Sequence, residues 1–373
     1  MKKLSIQELV PGMITATDIF STDSQLIVPK DIVLTENIIS RLESYSVFYV
    51  QIQDAIADEL YNTDTDTENL SNKERIRQSP QFKKFSEDFN SCAEHYKDNL
   101  MQALYKNQPF KAQEILENTM KLMTQDGSSI NVFDMLLNMR NKEDSVYVHC
   151  IDVALIATML AKWLHFPENE QAMVTACGLF HDIGKFLLPQ SILRKPGRLT
   201  PQEFEIIKTH TTEGYHTLKS FKNIPQPIIN AALMHHEKCD GSGYPYGLKG
   251  NDIDKFSKIV TIADIFDAMT SERVYRSAMC PFSVIKYFED DGIQKYELKY
   301  ILTFLENVSN SYLNHRVTLS NGMEGNVIFV NRDSYSRPVI RTENNEIIDL
   351  QQQYYHNIMQ LSGNKKLSIE SII

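Results

Sequence analysis

The sequence lacks the excess of positive charge that nucleic-acid-binding proteins need. Lysine and arginine number 38 against 48 aspartates and glutamates, which gives a formal net charge of −10 at pH 7. Non-specific binding to nucleic acid draws its affinity from a broad basic surface, so we predict no polymeric nucleic-acid partner. Net charge describes the whole surface, however, and a single site can carry the opposite sign.

Cysteine is also scarce, and its spacing excludes the common thiolate sites. The five cysteines show no C-x-x-C pair, and an odd number cannot all form disulfides within one chain. They are Cys92, Cys150, Cys177, Cys239 and Cys280. This usage is typical of a reducing compartment and predicts a cytoplasmic protein. We interpret Cys150 and Cys239, which stand beside candidate ligands, as packing residues.

Long apolar runs are missing as well. The N-terminal lysines are followed by Pro11 and Gly12 rather than by an apolar stretch, so no secretory signal is predicted. The longest apolar helical segment, residues 153–166, includes Lys162 and His165 and is shorter than the ~20 residues that cross a bilayer. We therefore expect no membrane insertion.

The hydrophobic pattern indicates a mainly α-helical chain with β structure at both ends. We predict five segments: a small α/β domain (1–55), a polar linker (56–79), a helical connector (80–140), an all-α domain (141–312), and a short β extension with a polar tail (313–373). In the last segment, Asn321-Gly322 between two β-rich runs is a hairpin signal, and the polar tail begins beyond Gln351.

The first segment is expected to combine strands near 25–28 and 47–52 with a short helix over 36–44. In the connector, apolar and aromatic residues recur at three- and four-residue intervals: Phe82, Phe85, Phe89, Cys92 and Tyr96. Such a stripe predicts a helix that packs on the next domain, and a helix that pairs two chains in a homodimer is the alternative. Further helices are predicted near 111–123 and 130–140.

Two adjacent pairs of polar side chains close apolar segments of the all-α domain. His181-Asp182 begins the motif HDIGK, and His235-His236 runs into EKCDGSGYP. Burying the lone pairs of such side chains without partners would cost several kcal/mol, and a metal ion is the simplest partner. A hydrogen-bonded structural pair is the less favoured interpretation.

Three further residues extend this set. Asp264 lies in the segment IVTIADIFDAM, which is apolar nearly all round, so a buried carboxylate there must face a cation or a strong donor. His149 starts an apolar helix, and His210 stands between two predicted helices. Taken alone, either histidine is more often a hydrogen-bonded structural residue than a ligand.

The whole set supplies five imidazoles and two carboxylates. Its members are His149, His181, Asp182, His210, His235, His236 and Asp264. These are too many ligands for one tetrahedral ion and enough for two divalent ions if one carboxylate bridges them. Nitrogen and oxygen ligands without thiolate favour Fe, Mn, Co, Ni or Zn, and they disfavour Cu(I) or an iron–sulfur cluster.

These motifs resemble those of the HD-GYP family, a branch of the HD-domain metal-dependent phosphohydrolases. The resemblance covers residues 140–310 and rests on HDIGK, HHEKCDGSGYP and IADIFDAMTSERVYR, with His149 and His210 at the expected places. It implies an all-α HD-type catalytic domain. It also implies an enzyme of bacterial second-messenger signalling that hydrolyses cyclic di-GMP to linear pGpG and, on further cleavage, to GMP.

The resemblance implies how the ligands divide between two ions. One ion takes His149, His181, Asp182 and Asp264, and the other takes Asp182, His210, His235 and His236, so that Asp182 bridges them. Fe and Mn are the leading metals, and a bridging hydroxide is the expected nucleophile. Some family members hold a third ion through a glutamate one helical turn before the first histidine. This chain has Ser145 there, so we predict two ions.

Other residues are assigned around this centre. Asp182 and Lys185 are the predicted catalytic residues, with Lys185 stabilising charge on the phosphate. Predicted substrate contacts are Lys185, Gly243, Tyr244, Pro245, Arg273 and Arg276, and Asp240 is predicted to support a ligand imidazole. Two alternatives stay open: the Gly-Tyr-Pro loop only braces the histidine pair, and the arginines are solvated charges at a helix end.

Two other functions stay open at this point. The motifs specify the metal ligands and the phosphate contacts better than they specify the nucleobase of the substrate. Another cyclic dinucleotide is therefore an alternative substrate. A catalytically weak effector that binds cyclic di-GMP is the other alternative. Loss of ligands would favour the effector, and no ligand is lost at the seven positions.

Overall fold

The structure is a computed structural model that describes most of the chain. The described residues are 2–6, 9–10, 13–20, 26–28, 30, 32, 34, 38–39, 42, 47, 49–53, 72–106, 108–123, 132–139, 145–272, 277–344, 346–352 and 367–372. The chain divides into two compact units, Met1–Leu70 and Ser71–Ile373, each with its own buried apolar core. Most of the predicted linker lies outside the described residues.

The N-terminal unit contains short antiparallel strands. The described ones are β1 (Lys2–Ser5), β2 (Ile19–Phe20), β3 (Leu26–Val28) and β4 (Tyr49–Ile52). β1 pairs with β4, and β2 pairs with β3. The two predicted strands are found. Ile38, Ile39 and Leu42 have helical backbone within the predicted helix, whose other residues lie outside the described ones.

The second unit is built from helices. They are α1 (Asn72–Gln78), α2 (Pro80–Tyr105), α3 (Ala112–Leu122), α4 (Val132–Met139), α5 (Val146–Trp163), α6 (Glu168–Phe180), α7 (Gln190–Leu193), α8 (Pro201–Lys208), α9 (His210–Ser220), α10 (Gln226–Met234), α11 (Lys255–Thr270), α12 (Pro281–Tyr287), α13 (Ile293–Lys295) and α14 (Leu298–Ser311). Shorter 3₁₀ turns, Ile183–Leu187 and Gly250–Asp252, and a π turn, Phe288–Gly292, stand between them. The predicted mainly α fold is confirmed.

Helix α5 is the central element of this unit, and every residue from His149 to Ala161 is buried. Among the described helices it is the one long and apolar enough to cross a membrane by length and composition, but 72% of it is buried inside the protein. Its partner α6 approaches very closely, because a Cβ on Gly178 would lie 2.6 Å from the Cα of Ala154. The apolar character of α5 therefore reflects its place in the core.

Helix α2 carries the aromatic stripe, and the stripe faces the core of the second unit. Phe85, Phe89, Cys92 and Tyr96 are all buried there. The Tyr96 hydroxyl also donates a hydrogen bond to the carbonyl oxygen of Leu179 in α6. This arrangement matches the prediction that the helix packs on the next domain, and the homodimer stays a prediction.

A small antiparallel sheet ends the chain. Its strands are β5 (Arg316–Leu319), β6 (Glu324–Asn331), β7 (Ser334–Thr342), β8 (Ile347–Asp349) and β9 (Ile369–Ile372), in the spatial order β8-β7-β6-β5-β9. The predicted hairpin at Asn321-Gly322 joins β5 to β6, with Gly322 at φ +82°. Glu289 of the π turn accepts hydrogen bonds from the amide and hydroxyl of Ser336, which ties the sheet to the helices.

Two of the predicted segments differ from the structure. Residues 72–78, predicted as polar linker, form α1, because Ile76 is buried while its neighbours stay polar. The end of the predicted polar tail forms β9, which pairs with β5 and buries Ile369. In both places the element has one buried apolar side chain within a largely polar composition.

Candidate metal centre

The chain places six of the seven predicted ligands at or near helix ends and the seventh, Asp264, inside a helix. His149 lies in the first turn of α5, His181 and Asp182 follow α6, His210 begins α9, His235 and His236 follow α10, and Asp264 lies within α11. All are buried except the half-buried His236. The two histidine-containing pairs thus close buried helices, as their sequence predicts.

Asp182 lies at the centre of this cluster. Its Oδ2 atom is 3.5 Å from Nε2 of His149 and 3.3 Å from Nε2 of His181. Its Oδ1 atom is 3.3 Å from Nε2 of His210 and 3.5 Å from Nε2 of His235. One carboxylate therefore presents its two oxygens to two different pairs of imidazoles.

The candidate ligand atoms form two groups, each with its atoms within 4.8 Å of one another. One group is His149, His181 and Asp264, and the other is Asp182, His210, His235 and His236. Asp264 lies 3.0 Å from His149 and its second oxygen lies 3.8 Å from Nδ1 of His236. This is the division that the family resemblance implies, with Asp182 facing both groups.

Four of the imidazoles are held by their outer ring nitrogen. Nδ1 of His181, His210 and His235 lies 2.7, 2.7 and 2.9 Å from backbone carbonyl oxygens. Nδ1 of His149 lies 2.6 Å from a carboxylate oxygen of Asp267. Because these oxygens only accept hydrogen bonds, each Nδ1 carries the proton and each Nε2 turns its lone pair toward the cluster. A metal-binding imidazole needs this tautomer.

The donor set fits divalent metal ions. Within the described part of the chain, Nε2 of His181 and Oδ1 of Asp182 are buried without a hydrogen-bond partner. Nε2 of His210 also lies 3.1 Å from Nε2 of His235, so two lone pairs face one another. Such a buried arrangement is unfavourable unless a cation joins the lone pairs. Imidazole nitrogens with carboxylate oxygens suit Fe, Mn, Co, Ni and Zn.

The electrostatics of the cluster favour ionised carboxylates, and burial lowers the pKa of three imidazoles, those of His181, His210 and His236. Burial by itself would raise the pKa of Asp182, but Lys185 and His181 hold that pKa well below its usual value. Burial likewise opposes ionisation of Asp264, and the neighbouring imidazoles hold its pKa well below the usual value. Burial lowers the pKa of His210 to about 3. At neutral pH these side chains are therefore in the states that bind cations.

The glycine of HDIGK lets the 3₁₀ turn at Ile183–Leu187 touch helix α9. A Cβ on Gly184 would lie 1.9 Å from the carbonyl oxygen of His210 and 2.6 Å from the amide nitrogen of Gly214. No side chain fits in that space, so glycine is required. The close contact brings Asp182, at the start of the turn, beside His210.

Lys185 reaches the cluster from the same turn. Its ammonium group contacts Oδ2 of Asp182, and its side chain is 18% exposed. The turn is a 3₁₀ helix, and it directs the Lys185 side chain toward the cluster. Lys185 therefore lies at the boundary between the buried ligands and solvent.

The Gly-Tyr-Pro loop packs on His236. The ring centroids of Tyr244 and His236 are 4.7 Å apart, and the Tyr244 amide donates to the His236 carbonyl at 3.2 Å. A Cβ on Gly243 would lie 2.4 Å from the Cα of Glu237, so this approach also requires glycine. Pro245 follows in the same half-buried loop. These contacts brace His236, and contact of the loop with substrate stays a prediction.

The carboxylate that supports a ligand imidazole is Asp267, which the sequence reasoning missed. Asp267 is 1% exposed, bonds Nδ1 of His149, and lies three residues after Asp264 on the same helix. Asp240, predicted for this role, is exposed and accepts from the amide and hydroxyl of Ser242 at 2.9 and 2.7 Å. The Asp240 prediction is wrong because its side chain closes a local turn.

Glu237 is a second buried carboxylate that the sequence reasoning missed. It is 2% exposed and accepts hydrogen bonds from the amides of Tyr246 at 2.7 Å and Leu248 at 2.9 Å. These bonds tie the Gly-Tyr-Pro loop to the end of α10. The position of Glu237 directly after His235-His236 could have predicted this role, because a buried pair of ligands needs neighbouring residues that hold its loop in place.

Three further predictions concern residues at the edges of the site. Arg273 and Arg276 lie outside the described residues, and their contact with substrate stays a prediction. Ser145 lies one helical turn before His149 and brings no carboxylate there, and the count of two ions stays a prediction. All the cysteines are free thiols, and burial raises the pKa of the fully buried Cys150, as expected of a packing residue.

The match to known families covers the centre of the chain. A sequence model described as the HD domain matches residues 112–298, which include every residue of the cluster. The chain belongs to the HD domain family. The family recognised from the HDIGK and Gly-Tyr-Pro motifs is thereby confirmed.

Curated relatives of this HD domain protein are phosphodiesterases of cyclic dinucleotides. Over 39% of its length it is 33% identical to a cyclic di-GMP phosphodiesterase of Pseudomonas aeruginosa. Over 40% it is 41% identical to a cyclic di-GMP phosphodiesterase of Thermotoga maritima, and over 37% it is 41% identical to a 3′3′-cGAMP-specific phosphodiesterase of Vibrio cholerae. The matches span 35%, 40% and 32% of the lengths of these relatives.

Proposed function

We propose that this HD domain protein is a metal-dependent phosphodiesterase that hydrolyses cyclic di-GMP to linear pGpG and, on further cleavage, to GMP. The observation that carries the proposal is the position of Asp182, whose two buried oxygens face separate pairs of imidazoles. Relatives named as cyclic di-GMP phosphodiesterases support the choice of substrate.

We propose that the cluster holds two divalent ions, with Fe or Mn ahead of Zn, Co or Ni. The residues that would hold them are His149, His181, Asp182, His210, His235, His236 and Asp264. When bound, such ions supply Lewis-acid stabilisation of phosphoryl oxygens and activation of water. The protein contributes four imidazoles that are fixed at Nδ1 and two carboxylates that stay ionised when buried.

Lys185 is the proposed residue for charge stabilisation. Its ammonium group already lies against Asp182 and remains partly exposed, so a phosphodiester that approaches the cluster meets it at the rim. A cation fixed there stabilises the negative charge that builds up on the phosphate oxygens as the ester bond breaks. Gly243, Tyr244 and Pro245 are proposed to contact substrate from the loop that packs on His236.

The test is product analysis with protein loaded with Mn or Fe and offered a panel of cyclic di-GMP, 3′3′-cGAMP and cyclic di-AMP. Cleavage of cyclic di-GMP is expected, together with two ions per chain by metal analysis. Asp182→Ala should lower the rate on the order of 10³-fold, since it removes the carboxylate shared by both ligand groups. Asp252→Ala, at an exposed carboxylate outside the cluster, is the matched control and should keep the parent rate.

A second substrate is favoured by one relative, the 3′3′-cGAMP-specific phosphodiesterase of Vibrio cholerae. Preferential cleavage of 3′3′-cGAMP in the panel would transfer the proposal to that dinucleotide. Binding of cyclic di-GMP without cleavage by metal-loaded protein would contradict the enzymatic proposal and support a signalling effector. One or three ions per chain would contradict the dinuclear centre.

A further inference from the structure

A large cavity lies beside the ligand cluster. Its volume is about 1530 Å³, which exceeds the roughly 300–1,000 Å³ typical of pockets for one small ligand. Two residues of the cluster region, His149 and Lys185, form part of its wall. Its walls continue along α2 and along the segment from α7 to α8, so the cavity extends well beyond the space that one phosphate needs.

The cavity is lined by positive charge although the chain as a whole carries −10. The cations are Lys97, Lys185, Arg194, Lys195 and Arg198, and none of the described residues that line the cavity is acidic. Walls of one sign around a low-dielectric cleft concentrate ions of the opposite sign. Because Lys185 lies against Asp182 of the cluster, the exposed Arg194 and Arg198 are placed to meet a second negative charge.

Arg194 and Arg198 stand on a turn that other contacts hold in place. Lys195 pairs with Glu203 at 2.6 Å, and a capping box between Thr200 and Glu203 starts helix α8. Both arginines are exposed, and neither pairs with an acidic residue in the described part of the chain. Guanidinium groups on a fixed turn are well suited to binding a phosphate through paired hydrogen bonds.

Tyr105 adds an aromatic surface to the same cavity. Its hydroxyl donates to the carbonyl oxygen of Phe186 at 2.8 Å, next to Lys185, yet the residue is 61% exposed. An exposed ring anchored at its hydroxyl offers a face on which a nucleobase can stack. Tyr105 and Lys97 belong to α2, which lies outside the residues matched by the family model.

We propose that the outer part of this cavity binds the second nucleotide of a cyclic dinucleotide. Arg194 and Arg198 contact the phosphodiester that is not being cleaved, and the Tyr105 ring stacks against a base. The inference rests on the proposed function, because it takes the ligand to be a cyclic dinucleotide with one phosphodiester at the cluster. It assigns recognition of the other half of that ligand to residues outside the metal motifs.

The kinetic test compares a substrate that has two phosphodiesters with one that has a single phosphodiester. The double variant Arg194→Ala/Arg198→Ala, loaded with Mn, should show about a tenfold higher KM for cyclic di-GMP with kcat retained. Its kinetics with bis(p-nitrophenyl) phosphate should match the parent, because that compound has no second phosphodiester. Arg332→Ala, an exposed arginine outside the cavity, is the matched control. Equal losses on both substrates, or none, would overturn the proposal.

Tyr105 is tested by a pair of variants that separate its ring from its hydroxyl. Tyr105→Phe removes the hydrogen bond to Phe186 and keeps the ring, whereas Tyr105→Ala removes both. A stacking role predicts that only Tyr105→Ala raises the KM for cyclic di-GMP by severalfold. If the two variants have the same effect, the hydroxyl supports the fold of the turn and the stacking role is overturned.

A binding measurement separates failure of this inference from failure of the proposed function. Protein stripped of metal with a chelator is titrated with cyclic di-GMP in a calorimeter, and the double arginine variant should bind about tenfold more weakly than the parent. The affinities of parent and variant can be compared even if the metal-loaded parent cleaves bis(p-nitrophenyl) phosphate and not cyclic di-GMP. That result would overturn the proposed cyclic di-GMP phosphodiesterase function and leave the second-nucleotide site untouched. Equal affinities of parent and variant would overturn the second-nucleotide site.

Discussion

The residues of the ligand cluster and those of the basic cavity wall beside it differ in burial and in how firmly their side chains are fixed. The cluster residues His181, Asp182 and His210 are fully buried, and Nδ1 of both histidines is fixed by a backbone carbonyl oxygen. Arg194 and Arg198, in the cavity wall, are exposed on a turn. Substitutions in the cluster should therefore change metal content and stability, whereas substitutions in the wall should change only the affinity for ligand.

The largest effect on the ligand cluster is expected from Gly184→Ala. The added methyl group would lie 1.9 Å from the His210 carbonyl oxygen, so the 3₁₀ turn and α9 must separate. We expect a loss of about 3 kcal/mol in the free energy of unfolding and a lower metal content. Thermal unfolding and metal analysis measure both.

The control for this variant is Gly214→Ala, at the glycine across the same contact. A Cβ there would have its nearest neighbours at 3.3 to 3.5 Å, so the structure can accommodate it with small shifts. Parent-like metal content is expected. If Gly184→Ala also kept both its stability and its metal, the close contact would not be what positions His210.

A smaller effect is expected from Asp267→Asn. The substitution keeps the size of the side chain but removes the charge that holds Nδ1 of His149 at 2.6 Å. Loss of such support lowers metal affinity by about 10- to 100-fold. Competition with a chelator measures the affinity, and Asp240→Asn is the comparison because Asp240 bonds only Ser242 among the described residues. If the two variants bound metal equally well, Asp267 would not be the carboxylate that supports metal binding by His149.

The smallest effect is expected at Asp134, a half-buried carboxylate without the neighbours that Asp182 has. Its Oδ1 has no hydrogen-bond partner among the described residues and lies 3.8 Å from Nε2 of His315. Burial raises its pKa from 3.8 to about 7. Folding therefore favours the protonated form, so its contribution to stability is present at low pH and is lost as the pH rises through about 7.

Asp134→Asn removes this pH dependence, because asparagine is uncharged throughout. The variant should be more stable than the parent at pH 8, by on the order of 1 kcal/mol after solvent screening, and the difference should shrink toward pH 5. Thermal unfolding at the two pH values provides the measurement. A difference that is independent of pH would show that the Asp134 carboxyl is ionised in the folded protein even at pH 5.

The helical fold could be predicted because its apolar residues repeat with helical spacing, as in the stripe from Phe85 to Tyr96. The edge strand β9 could not, because the polar residues between Gln351 and Leu367 conceal a short strand that is stable only when paired with β5. Helix α1 was missed for a related reason. Its one buried apolar residue, Ile76, creates no period.

The ligands could be predicted because two adjacent polar side chains at the end of an apolar helix are costly to bury unless they bind a cation. Asp267 could have been found as well, since its spacing of three residues from Asp264 places both carboxylates on one helix face. Asp240 was misjudged because closeness in sequence does not say where a side chain points. The wall residues Lys97 and Tyr105 reach the site through folding alone, from a helix far upstream of the motifs.

The two tyrosine hydroxyls of α2 have a practical consequence for how the protein can be divided. Tyr96 and Tyr105 bond the carbonyls of Leu179 and Phe186, on either side of the His-Asp pair. A fragment cut at the start of the family match, residue 112, would lose both bonds and expose the apolar surface that α2 covers. The shortest fragment that keeps this packing should instead begin by Ser79, whose hydroxyl accepts the first hydrogen bond of that helix.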